Sequence, residues 1–70
     1  MGYATGDRVE WDWGDGTASG EIKERFTQDV TRTIKGNEVT RHASVNEPAF
    51  MIEQEDGTSV LKSITEVRKA

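Results

Sequence analysis

The sequence predicts a small all-β domain, a barrel or tight sandwich of five to six short strands, on three observations. Apolar residues recur at every second position, as in Val9, Trp11 and Trp13, which is the period of a half-buried strand. Turn-forming groups, Gly14-Asp15-Gly16, Gly36-Asn37 and Asp56-Gly57, interrupt these runs at short intervals. With 70 residues and no cysteine, the chain must close one small core on itself without disulfide or thiolate support.

In "GDRVEWDWGDG", Val9, Trp11 and Trp13 share one face and Arg8, Glu10 and Asp12 the other, and the strand ends at the glycine-rich turn. "TASGEIKERF" sets Ala18, Gly20, Ile22 and Phe26 in alternate register, with Gly20 marking a bend or a close backbone approach. "DVTRTIKGNEVTRH" is a hairpin centred on Gly36-Asn37, both of which tolerate positive φ. That centre pairs Lys35 with Glu38, Ile34 with Val39, Thr33 with Thr40 and Arg32 with Arg41. The last is a like-charge pair that calls for a counter-ion. "AFMIEQE" is the next strand and, after Asp56-Gly57, "TSVLK" returns beside it. Ser63 and Glu66 have the spacing of a capping box on a single helical turn, after which "VRKA" closes the sheet.

Between the hairpin and "AFMI" lies "RHASVNEP", with the only histidine and the only proline. Pro48 lacks an amide hydrogen and Ser44 and Asn46 favour turns, so the segment reads as a connector. It delivers Phe50 and Ile52 to one face of the next strand and Ala49 and Met51 to the other. His42 and Ser44 share a face, but no acid is evident beside the imidazole and nothing marks an oxyanion hole. One histidine with scattered carboxylates falls short of a metal-ligand set. No catalytic residue, no metal and no cofactor is expected, and the chain is not expected to be an enzyme.

Net charge is −4, unevenly spread: −3 over residues 1–26, +1 over 27–42, −4 over 43–61 and +2 over 62–70. An acidic body with one mildly basic segment argues against a general phosphate binder. The longest apolar run is "AFMI", and Asp7, Arg8 and Glu10 stand where a signal peptide would need apolar residues. A single domain over 1–70, cytoplasmic and without membrane contact, is the expectation.

The residues "GDRVEW", "ASGEI", "TRTIKGNEVTRHAS", "EPAFMIEQEDG" and "VLK" with its short following turn resemble the hypervirulence-associated Tudor-like domain family, small bacterial and fungal proteins. The resemblance spans roughly residues 6–69. It implies an SH3-like (Tudor-like) barrel with an inserted β-hairpin at about 30–42. Shape is what it transfers; a ligand has to be argued from a site.

Two candidate sites follow. In an SH3-like fold the turns "DWGDG" and "EQEDG" come together at the mouth of the barrel, surrounding Trp13 with Asp12, Asp15, Glu55 and Asp56. Carboxylates beside an aromatic face suit an ammonium or guanidinium, so the first reading is a protein-interaction module taking a basic peptide or other cationic group. The alternative is nucleic-acid binding through Arg32, Lys35 and Arg41 of the hairpin, which the net charge disfavours. Trp11 and Phe50 are read as core and Tyr3 as undecided between core and surface. An exposed hairpin edge leaves monomer or weak homodimer as the expected states.

Overall fold

The structure, a computed structural model, describes residues 3–70. Strands β1 (Arg8–Trp13), β2 (Gly16–Phe26), β3 (Val30–Ile34), β4 (Asn37–Arg41), β5 (Ala49–Gln54) and β6 (Ser59–Ser63) are followed by a 3₁₀ turn (Ile64–Glu66) and the short β7 (Arg68–Lys69). Five of them form an antiparallel sheet in the order β6-β5-β2-β1-β7, while β3 and β4 form a separate two-stranded sheet. The molecule is thus an SH3-like barrel carrying the hairpin between its second and third barrel strands.

Strand β1 keeps the alternation read from the sequence: Val9 and Trp11 are buried, while Asp12 is exposed. It pairs with β2 from Arg8↔Glu21 to Trp13↔Gly16, leaving Gly14 and Asp15 as the turn. Gly20 sits where a Cβ would lie 2.5 Å from the Glu53 carbonyl oxygen and 2.7 Å from Ile52 Cγ2. The close backbone approach expected there is therefore the reason for the glycine.

Strand β2 departs from simple alternation. Its pairing with β5 shifts between Ile22 and Glu24, a bulge that leaves Lys23 without an opposite residue. An extra residue exchanges the two faces of a strand. Ile22, opposite Ile52, joins one core, while Phe26, opposite Ala49, packs against the other. The common face expected for Ala18, Gly20, Ile22 and Phe26 thus ends at Lys23.

Two small cores result. The larger contains Val9, Trp11, Ile22, Phe50 and Ile52, with Tyr3, Val60, Ile64 and Val67 packed around it. The Tyr3 ring lies 5.6 Å from that of Phe50, which resolves its role in favour of packing. The smaller contains Val30, Ala49 and Leu61. Strand β5 therefore buries side chains on both faces, Phe50 and Ile52 on one and Ala49 on the other, because the inserted hairpin covers the face a simpler barrel leaves to solvent.

The hairpin register differs from the sequence expectation. Its turn is Lys35-Gly36, with φ of 52° and 80°, and the pairs are Ile34↔Asn37, Thr33↔Glu38, Arg32↔Val39, Thr31↔Thr40 and Val30↔Arg41. Two successive positive φ values match the twist of the flanking strands, and glycine is favoured second in such a turn. This register brings the Thr31 and Thr40 hydroxyls within 2.8 Å and carries Val30 into the smaller core. Arg32 no longer faces Arg41, so the repulsive pair does not arise.

The connector is held locally. The Ser44 hydroxyl accepts from the Glu47 amide at 3.1 Å, and the Ser44 amide donates to the Glu47 carbonyl at 3.0 Å. Pro48 accepts from the Ile64 amide at 2.9 Å, so the residue without an N–H is used through its carbonyl. Ser63 and Glu66 form the expected capping box: Ser63 Oγ accepts from the Thr65 amide at 3.2 Å and Glu66 Oε1 from the Ser63 amide at 2.7 Å. Strand β7 then pairs with β1 at Val9↔Lys69 and Glu10↔Arg68.

Candidate functional site

The barrel mouth is an open cleft of about 280 Å³. Its apolar surface comes from Trp11, Trp13, Ala18 and Val60, contributed by the β1–β2 hairpin and β6. Trp11 is 3% exposed and Trp13 72%, although both occupy the same face of β1. Trp13 lies at the end of the strand, past the residues that close the core, and its indole stands in solvent.

Of the four carboxylates expected around Trp13, only Asp56 lines the cleft with it. Asp12 lies on the opposite face of β1 and accepts from Arg68 Nη2 at 3.2 Å. Glu55 accepts from Arg8 Nη2 at 3.5 Å, in a neighbouring hollow. Asp15 is exposed on the β1–β2 turn beside Trp13. Strand alternation and ion pairing across the barrel thus disperse the expected acidic ring.

Cations take its place. Lys35, from the β3–β4 turn, and Lys62, from β6, line the same cleft, and Lys62 Nζ lies 5.9 Å from the Trp11 ring centroid. The Asp56 carboxyl is held below its ordinary range by the Thr58 hydroxyl at 2.7 Å, then by the Thr58 amide at 3.0 Å, with a smaller contribution from the charge of Lys35. Both bonds end on Asp56 Oδ1. Arg8, Lys23, Arg41, Arg68 and Lys69 are in ion pairs, whereas among the described residues Arg25, Arg32, Lys35 and Lys62 have no carboxylate at ion-pair distance, and of these four Lys35 and Lys62 line the cleft. Lys62 and Val60 escaped the sequence reading, although the alternation of "TSVLK" sets them on one face.

The basic set of the hairpin is also divided. The Arg32 guanidinium lies 4.8 Å above the Phe26 ring centroid and donates to its neighbour's carbonyl at 2.9 Å. Arg41 Nε donates to Glu66 Oε1 at 2.8 Å. Lys35 turns into the cleft.

His42 has an acid beside it after all. Its Nδ1 is 3.2 Å from Asp29 Oδ2, and the other carboxylate oxygen of Asp29 accepts from the Ala43 amide at 3.1 Å. The amide bond first and the imidazole second hold the Asp29 carboxyl below its ordinary range. With 88% of its side chain in solvent, His42 ties the end of β4 to the β2–β3 loop, and the adjacent Ser44 hydroxyl is engaged by Glu47. Among the described residues no group of three or more histidine, cysteine or acidic side chains is gathered around a common point, and no helix is long and apolar enough to cross a membrane.

A five-stranded antiparallel sheet with an inserted two-stranded hairpin has the architecture of a small SH3-like, Tudor-like barrel. The family described as hypervirulence associated proteins TUDOR domain matches residues 6–67, nearly the whole chain, and the protein belongs to it. Comparison with curated proteins and with solved structures finds no match.

Proposed function

We propose that the domain is a non-catalytic module that binds a segment of a protein partner in the cleft beside Trp13. One observation carries this reading: an indole 72% exposed at the rim of a cleft with an apolar floor. Covering such a ring gains about 25 cal/mol for each Å² of apolar surface removed from water, and tryptophan is over-represented among residues that dominate interfaces. The cationic ligand read from the sequence has Asp56 in the cleft and Asp15 on the adjoining turn in its favour, against Lys35 and Lys62 on the walls. The reading therefore rests on aromatic contact rather than on a ring of carboxylates. Nucleic-acid binding through the hairpin has weaker support, because Arg41 is neutralised by Glu66 and the net charge is −4.

The test is an amide and indole NMR titration of wild type and Trp13→Ala with short peptides of differing charge. Micromolar to millimolar affinity is expected for so small a contact. Binding that perturbs the Trp13 indole and is lost in a folded Trp13→Ala domain supports the reading; unchanged binding in that variant refutes it.

A further inference from the structure

The Trp13 cleft does not end at Lys62. A second hollow of about 170 Å³ is lined by Ile34, Val39, Arg41, Val60, Leu61 and Lys62. It shares Val60 and Lys62 with the first, so the two form one surface running along β6, with the β3–β4 hairpin as a wall. Its lining combines apolar side chains, Trp13, Ile34, Val39 and Val60, with the cations Lys35 and Lys62.

Resting on the binding-module reading, we infer that this surface is a groove for an extended segment of a partner protein that alternates apolar or aromatic residues with carboxylates. Charge complementarity selects this partner. The chain carries 13 acidic residues against 9 basic ones, yet two of the four basic side chains that have no carboxylate at ion-pair distance among the described residues, Lys35 and Lys62, line the groove. Asp56, the carboxylate lining the cleft, is engaged by Thr58 and faces Lys35. Lys62 Nζ lies 5.9 Å from the centroid of the Trp11 ring, which is itself only 3% exposed, so this lysine adds positive charge to the cleft in which the solvent-facing Trp13 stands. A carboxylate meets the ammonium groups of both Lys35 and Lys62 there, whereas an incoming cation is repelled by both and attracted by Asp56 alone. An extended backbone suits the groove because successive side chains alternate in direction, one toward the apolar floor and the next toward the charged rim.

The experiment uses the whole chain and a panel of short synthetic peptides, each with one aromatic residue flanked by glutamates, by lysines or by neutral residues, together with a single-stranded oligonucleotide. The glutamate-flanked peptide is expected to bind most tightly, shifting the Trp13 indole and the amides of residues 34–39 and 60–62, and to weaken with added salt. Lys35→Gln and Lys62→Gln should each reduce its affinity by at most about fivefold, the range of exposed ion pairs, and leave the neutral peptide unaffected. A lysine-flanked peptide that binds more tightly, or glutamine variants that bind the acidic peptide equally well, overturns this inference while Trp13 dependence preserves the binding-module reading. Preference for the oligonucleotide overturns it in favour of phosphate recognition. Absence of any shift at Trp13 with every probe removes both.

Discussion

Arg41 Nε donates to Glu66 Oε1 at 2.8 Å, joining the last residue of the inserted hairpin to the 3₁₀ turn that precedes β7. The same carboxylate oxygen accepts from the Ser63 amide at 2.7 Å, so one side chain both caps the turn and anchors the hairpin. Partial burial raises the Glu66 pKa, but Arg41 and the Ser63 amide outweigh it and the net shift is downward.

A lowered carboxylate pKa means that the unfolded chain binds more protons than the folded one, so the associated stability is present above the ordinary carboxylate range and lost as pH falls through the lowered value. Asp7, Asp29 and Asp56 shift in the same direction. Urea stability should hold level above about pH 5 and decline below about pH 4. Glu66→Gln should shrink that decline, and Arg41→Ala should lower stability by about 1 kcal/mol at neutral pH, as expected between exposed and buried pairs. An acid limb identical in Glu66→Gln and wild type would refute the coupling.

Gly20→Ala should destabilise the domain by about 1–3 kcal/mol or more, because the added methyl meets a backbone carbonyl of the paired strand and cannot be accommodated by a rotamer change. Chemical denaturation checks this. Wild-type stability in the alanine variant would mean that β2 and β5 are not in contact there.

Trp11→Ala should cost about 3–5 kcal/mol, as for a large core aromatic, whereas His42→Ala should change stability little, since an exposed pair contributes about 1 kcal/mol or less. Equal losses for the two in a urea titration would contradict the assignment of Trp11 to the core and His42 to the surface.

Lys35 adopts φ 52°, a conformation that costs most side chains about 1–2 kcal/mol and that asparagine tolerates better. Lys35→Asn should therefore stabilise the hairpin, by up to about 1 kcal/mol, visible as a higher Tm. A lower Tm would argue against the Lys35-Gly36 turn.

The sequence by itself determined what depends on neighbours along the chain. Alternation in "RVEW" required a half-buried β1, the Ser63 and Glu66 spacing required a capped turn, and Gly20 announced a close approach, because each is a local property of side-chain direction or backbone freedom. Tertiary structure alone decided the rest. Which residues form the β3–β4 turn depended on burying Val30 with Ala49 and Leu61, and Gly36-Asn37 and Lys35-Gly36 are both acceptable turn sequences until that burial is included. The face taken by Phe26 depended on a bulge at Lys23, set by fitting one long strand to the curvature of a small barrel. The charge of the mouth was the least legible feature. Asp12 meets Arg68 and Glu55 meets Arg8 only after strands distant in sequence are brought together, and that pairing leaves Lys35 and Lys62 in the cleft with Trp13. Charges are neutralised by whatever approaches through space, so the sign of a surface emerges from the fold and not from the turn that carries it.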